Sequence, residues 1–162
     1  MNHMLVTYSA ECAEKGHVDP NFTQMVYGNS KQNGRSLKNN LKVGSYLFFN
    51  ARIGEKRYIT AYFYVEKILE KGIHNEEIKA LDCDAKNDEV IIIGSRQFSK
   101  ILTIPLVLDK QLMMQLPSYN ATENYFASKS SELEAIKDKT LNPTRLTDAE
   151  KEILLSLCQK RG

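Results

Sequence analysis

The chain has 162 residues, 42% of them hydrophobic and 26% charged, with 22 Lys and Arg against 20 Asp and Glu for a net charge of +2. That length suits one domain with a sizeable core, and the composition is that of a globular chain rather than a disordered one. The near-neutral balance excludes a protein held on nucleic acid by bulk charge alone, although a local basic patch or a pocket for one extruded base needs no large net charge.

No apolar run reaches the roughly 18 residues of a membrane span. The N-terminus lacks the basic region and apolar core of a signal peptide. Cys12, Cys83 and Cys158 lie far apart with no CxxC, which argues against a zinc ribbon or redox motif and for reduced thiols in a cytoplasmic protein.

In chain order, residues 4–9 are β-prone and form a first strand. Met4 offers an alternative start to Met1, so His3 is left out of any site. Residues 11–16 are polar and end in glycine, a loop. The Asp19-Pro20 step disfavours helix at Asp19 and permits one beyond it. Asp19 then caps a short helical turn containing Phe22 and Met25. Residues 29–35, NSKQNGR, read as a polar loop. Residues 36–41 read as a short helix capped by Ser36, with Leu37 and Leu41 on one face.

The strongest signal is VGSYLFFNARIGEKRYITAYFYVEKIL, residues 43–69. Two β-prone runs, 46–52 and 57–65, flank Ile53-Gly54-Glu55-Lys56 and predict a hairpin. Strict alternation sends Leu47, Phe49, Ala51, Ile59, Ala61, Phe63 and Val65 to a dry face. It sends Tyr46, Phe48, Asn50, Arg52, Tyr58, Thr60, Tyr62 and Tyr64 to an aromatic face tipped with hydroxyls. Such tyrosines either pack under helices or present a stacking surface to a planar ligand such as a nucleobase.

Residues 66–71 extend the strand or a loop outward, and residues 72–84 are ambiguous between helix and irregular strand. Val90-Ile91-Ile92-Ile93 is a buried strand ending at Gly94. Residues 95–100, SRQFSK, form a polar loop at its end. Pro105 makes residues 101–108 an edge or broken strand. Asp109 caps a helix with Leu112, Met113 and Leu116 inward, stopped by Pro117. A helix around residues 123–137 carries Tyr125, Phe126, Leu133 and Ile136. Thr147-Asp148-Ala149-Glu150 is a capping box opening a last helix, with Ile153, Leu154, Leu157 and Cys158 as its buried stripe. The class is α+β and a single domain over 1–162, with a β-rich core over about 4–108 and a mostly helical part over 109–162.

There is no Walker loop, GxGxxG, HExxH or GxSxG, and no catalytic residue, metal or cofactor is assigned. The carboxylate pairs Glu76/Glu77 and Asp82/Asp84 read as solvated faces. Two segments stand out. His17-x-Asp19-Pro20-x-Phe22 reads either as a capped turn whose His and Asp hydrogen-bond locally or as a rigid loop presenting an imidazole and a carboxylate suited to a base edge. Gly94-Ser95-Arg96-x-x-Ser99-Lys100 offers two cations, two hydroxyls and backbone N–H groups to a phosphate.

The order HVDPNF, YG, LKNNLKVGSYLFFNAR, RYITAYFYV, VIIIGSRQFSKILTIPLVL, over roughly residues 5–108, resembles the nucleotide-modification-associated domains of prokaryotic restriction and phage systems, of the His-x-Asp-Pro-x-Phe type. Ser45 departs from the acidic residue usual after the glycine. The resemblance implies a PUA/EVE/YTH-like fold: a strongly curved mixed sheet or pseudo-barrel, flanked by short helices, with a C-terminal helix. It also implies a pocket for a modified or flipped base. Reader domains of the YTH type use tryptophans there; with no Trp in this chain, Tyr and Phe must serve.

The expectation is a nucleic-acid-binding module, for DNA in preference to RNA, recognising a modified base. His17, Asp19, Asn21, Tyr27, Tyr46 and Tyr62 would hold the base, and Ser95, Arg96, Ser99 and Lys100 the phosphate. The alternatives are a small nucleotide-processing enzyme using His17 and Asp19, or a protein-interaction domain.

Overall fold

A computed structural model of the chain describes residues 1–9 and 20–162. In chain order its elements are β1 (His3–Thr7), β2 (Val26–Asn29), α1 (Lys31–Asn40), β3 (Tyr46–Ile53), β4 (Lys56–Glu70), α2 (Asn75–Lys79), a 3₁₀ turn (Asp84–Asn87), β5 (Val90–Gly94), β6 (Lys100–Val107), α3 (Lys110–Met114), a second 3₁₀ turn (Pro117–Tyr119), α4 (Glu123–Ala127), α5 (Glu132–Lys139), β7 (Thr144–Leu146) and α6 (Asp148–Gln159). The expected loop over 11–16, the Asp19 cap and Cys12 lie outside the described residues.

β3 and β4 form the hairpin, closed between Ile53 and Lys56 with Gly54 at φ 64. A positive φ at the first turn position suits glycine and matches the twist of the flanking strands. β4 runs for 15 residues around a centre, Tyr58–Val65, that is β-branched or aromatic at every position but Ala61. It has more length than one partner can use. Its first part pairs with β3 on one edge and β6 on the other, and its second part pairs with β5. The sheet has 7 strands in the order β2-β5-β4-β3-β1-β7, with β6 also on β4. β1 and β3 are parallel and the other pairs antiparallel. The fold is therefore mixed α+β, as expected, and among the described residues the sheet is not closed into a barrel.

Two cores lie on opposite faces. Met4, Val6, Leu47, Phe49, Ala61, Phe63 and Val65 pack under α1, whose Leu37 and adjoining Leu41 are both buried. Leu5, Phe48, Ile59 and Tyr62 pack under the C-terminal helices with Leu112, Met113, Leu116, Ile136, Leu154 and Cys158. A smaller third cluster joins Val26, Leu69 and Ile91 to Ile78 of α2 and Ala85.

Strict alternation fails at one place. Register slips at Thr60, so Asn50 pairs with Ile59 while Phe49 pairs with Ala61. An extra residue in one strand rotates everything before it to the other face. Ile59 therefore joins the helical-side core, against the expectation that it shares the dry face of Ala61. Opposite the same point, β6 matches Leu106 to Ile59 and Ile101 to Ala61. The residues between them, Pro105 included, leave the ladder; β6 is both an edge strand and a broken one.

Other differences have local causes. Residues 31–35, expected as loop, are the first part of α1. Gly34 allows its backbone to approach β2, since a Cβ there would stand 2.7 Å from the Asn29 carbonyl oxygen. The segment holding Phe22 and Met25 is a turn, not a helix, closed by an Asn21–Val26 bridge with Met25 at φ 57. The predicted helix over 123–137 is two helices, because Ser131 Oγ accepts the Glu134 N–H and caps a fresh start. In α6, Leu155 rather than Leu157 is buried, with Leu154 and Cys158; Ile153 and Leu157 pack at the margin. His3, set aside in the sequence, is a structural residue. It is 2% exposed; its Nδ1 accepts the Tyr46 N–H and its Nε2 therefore donates to Asp148 at 2.7 Å.

The capping box forms as predicted and does more than cap. Glu150, 2% exposed, accepts the Thr147 N–H and also the N–H and hydroxyl of Ser118, tying α6 to the second 3₁₀ turn. Burial pushes its carboxyl up, but hydrogen bonds from Ser118 and Thr147 outweigh that and hold it below its ordinary value. The stabilisation is complete above the ordinary pKa of 4.5 and drains away as pH falls below it, where the unfolded chain takes up the proton first. Glu150→Gln is expected to lower stability by about 2 kcal/mol at neutral pH. Urea unfolding should also show a wild type losing more stability than the variant between neutral and acid conditions.

Candidate functional site

The residues expected to hold a base do not converge. His17 and Asp19 lie outside the described residues. Asn21 is 9% exposed and its side chain accepts the Gln24 N–H, closing its own turn. Tyr27 is in the core under α1, its ring edge-on to Phe49 at 5.3 Å. Tyr46 and Tyr62 are on the opposite face, with ring centroids 5.8 Å apart. Tyr62 is 5% exposed in the helical-side core. Tyr46 lies beneath the Lys151 ammonium of α6 at 5.4 Å from the ring centroid. Helices cover the tyrosine face, so the sheet itself separates Tyr27 from Tyr46 and Tyr62.

The loop between β5 and β6 spends its polar groups internally. The Ser95 hydroxyl accepts the N–H groups of Gln97 and Phe98, and the Ser95 carbonyl accepts that of Ser99. The Ser99 hydroxyl accepts the Tyr64 N–H at 3.0 Å. The backbone donors expected to face a phosphate are thus partly consumed. Arg96 is exposed and donates to the Thr23 carbonyl, while Lys100 pairs across from Tyr62 at the start of β6.

A different cation has the surroundings of a site. Arg57 opens β4 directly opposite Arg52 across the hairpin. Like charges facing across strands are destabilising. Arg57 is nonetheless 9% exposed. Its Nη1 donates to Asn50 Oδ1 at 3.1 Å, and its buried Nε has no hydrogen-bond partner among the described residues. Among the described residues it forms no ion pair; the ion pairs present there join other groups. Burial and the charge of Arg52 push the guanidinium below the ordinary arginine value, yet arginine stays charged in proteins. A buried cation without a counter-charge costs several kcal/mol, and an arriving anion would offset that cost.

The guanidinium is held rather than loose. Asn50 is fully buried; its Nδ2 donates to the Val6 carbonyl and the Thr7 hydroxyl, and Thr7 donates to the Thr140 carbonyl. That chain orients the Asn50 oxygen toward Arg57. Sequence reasoning misses Arg57 because strict alternation with Ile59 and Ala61 places it on the dry face. The available signal is the turn: two arginines flanking Ile53–Lys56 must face each other if the hairpin is tight.

Two cavities meet at Arg57. One, of about 680 Å³, is lined by Thr7, Tyr8, Ser9, Arg52, Gly54, Arg57, Leu133 and Lys137: three cations and no carboxylate among its described lining residues. The other, of about 580 Å³, shares Arg57 and Leu133 and runs along Val107, Asp109, Met114 and Glu132. Both have the size of small-ligand sites. Neither is lined by Tyr27, Tyr46, Tyr62 or the Ser95–Lys100 segment. No group of described His, Cys, Asp or Glu residues is arranged to hold a metal, and no described helix is long and apolar enough to cross a membrane. No family model matches the chain, and no curated protein matches it in sequence.

This geometry has two testable outcomes. Asn50→Leu, close in volume, should cost about 3 kcal/mol in chemical unfolding, because it takes the acceptor from the Arg57 charge and the donor from the Val6 carbonyl and the Thr7 hydroxyl. Inorganic phosphate, added at constant ionic strength, should raise the Tm of the wild type, since a ligand of the folded state stabilises it. Arg57→Met should abolish that rise.

Proposed function

We propose that the chain is a nucleic-acid-binding module in which Arg57, with Arg52 and Lys137, takes a backbone phosphate and the adjoining cavity takes a base. In keeping with the family resemblance, the base is a modified one drawn out of the stack, in DNA rather than RNA. The observation that carries this reading is the buried guanidinium of Arg57, which forms no ion pair among the described residues, at the junction of a cationic cavity and a less polar one. A phosphodiester matches the paired donors of a guanidinium, and a planar base suits the second space.

The net charge of +2 does not oppose such a module, because three of the cations, Arg52, Arg57 and Lys137, line one cavity. The mixed, bent sheet with a C-terminal helix is compatible with the PUA/EVE-like expectation. Extruding a base costs a few kcal/mol, least for a single-stranded or damaged one. A phosphate anchor that is already buried and oriented reduces what the base contacts must supply.

Fluorescence anisotropy on single- and double-stranded DNA and RNA, plain and base-modified, tests the reading. Binding is expected at low salt, with a preference for one modified base that persists at moderate salt. Arg57→Met should weaken it and lower the salt slope by about one, the loss of a single phosphate contact. Absence of binding at low salt, or an Arg57→Met protein that binds as the wild type does, would overturn the proposal.

A further inference from the structure

We infer that the cavity beside Arg57 selects a base bearing an exocyclic amino group, adenine, cytosine or guanine, over thymine or uracil. The inference rests on the reading of Arg57 as the phosphate ligand. It comes from a separate feature, the chemistry of the 580 Å³ cavity on the other side of that guanidinium.

This cavity is amphipathic. Val107, Leu133 and Met114 supply apolar surface, which a base plane can cover. Opposed to it are two carboxylates at the starts of short helices. Asp109 Oδ1 accepts the Leu112 N–H at 2.9 Å, and Glu132 Oε1 accepts the Lys110 N–H at 3.1 Å. Each carboxylate is thereby fixed by one oxygen, while the other makes no hydrogen bond among the described residues. The other two acidic residues of the lining are paired, Glu123 with the Lys110 ammonium at 2.5 Å and Glu55 with the Arg52 guanidinium at 3.7 Å.

The second observation is Arg57 itself, nine-tenths buried, with an Nε that has no partner among the described residues, lining this cavity as well as the cationic one. A ligand anchored there by its phosphate brings its attached base toward Asp109 and Glu132. Ionised carboxylates only accept hydrogen bonds. An amino group at C6 of adenine, C4 of cytosine or C2 of guanine donates to them. Thymine and uracil have carbonyl oxygens at C2 and C4, which meet a carboxylate as acceptor against acceptor, and only the ring N3–H between them can donate.

The test uses single-stranded oligodeoxynucleotides made of abasic residues, each carrying one central adenine, cytosine, guanine or thymine, with binding read by anisotropy. The three amino-bearing strands are expected to bind about tenfold more tightly than the thymine strand, the discrimination of one well-made base contact. Glu132→Gln keeps an acceptor for the Lys110 N–H and should narrow that gap, chiefly by improving thymine. Equal affinity for all four bases, or a gap unmoved by Glu132→Gln, would overturn the inference. If those results come with binding that still requires Arg57, the phosphate reading stands alone. If Arg57→Met binds every strand as the wild type does, the reading beneath the inference fails with it.

Discussion

The extra residue at Thr60 is the constraint on which the rest of the molecule depends. Without it, the alternation of β4 would carry through unbroken, and Arg57 would share a face with Ala61 and Phe63, in the core under α1. There a guanidinium would meet only apolar side chains. With the slip, the start of β4 faces the other way. Ile59 then fills the helical-side core, and Arg57 reaches the Asn50 amide at the margin of that core. β6 responds to the same slip by looping four residues out of its ladder, between Ile101 and Leu106. Thr60 itself is held by a hydrogen bond between its hydroxyl and that of Tyr8 at 2.8 Å, so the slip is anchored from β1's end of the molecule.

The two faces of the one sheet consequently differ in character. The face under α1 is dry and closely packed, with Phe22, Phe49 and Phe63 in mutual edge-on contact. The face under the C-terminal helices is dry at one end, around Phe48, Tyr62, Leu154 and Cys158. At the other end it becomes polar through Asn50, Arg52 and Arg57. Burial pushes the Cys158 thiol up to about 12, which makes it an inert packing group rather than a nucleophile. The polar end is where the structure leaves cavities, and the chain places there a cation that its own described carboxylates do not neutralise.

Much of the fold is legible in the sequence because its strongest signals are local. The hairpin, the buried strand ending at Gly94, the Asp109 cap and the Thr147–Glu150 box each depend on residues within one or two turns of chain. The first part of α1 is not legible, because NSKQNGR has the composition of a loop and becomes helix only through the anchoring of Leu37 and Leu41 in a core made elsewhere. The break before Glu132 does leave a trace, in the spacing of Ser131 and Glu134, but a continuous apolar periodicity across residues 123–137 masks it. The candidate site is mostly hidden. Tyrosines at strand positions look alike whether they are exposed or lie under a helix, and Tyr62 lies under one. The serines of the Ser95–Ser99 loop look like phosphate donors until their hydroxyls are seen to serve the backbone around them. Arg57 sits in plain view beside the turn, but a single β-bulge, invisible to any periodicity, decides which face it takes.

The central claim is that Arg57 is a buried cation kept for an anion, and its own Nε–H reports on that directly. In ¹⁵N-resolved NMR of the intact chain titrated with single-stranded DNA, the Arg57 Nε–H resonance should shift saturably, because an anion on the guanidinium changes the surroundings of an atom that has no partner among the described residues. The contrary result is an Arg57 resonance that stays in place while the Gln97 and Phe98 amides move. That would put the phosphate at the Ser95–Ser99 loop and leave Arg57 as a purely structural charge.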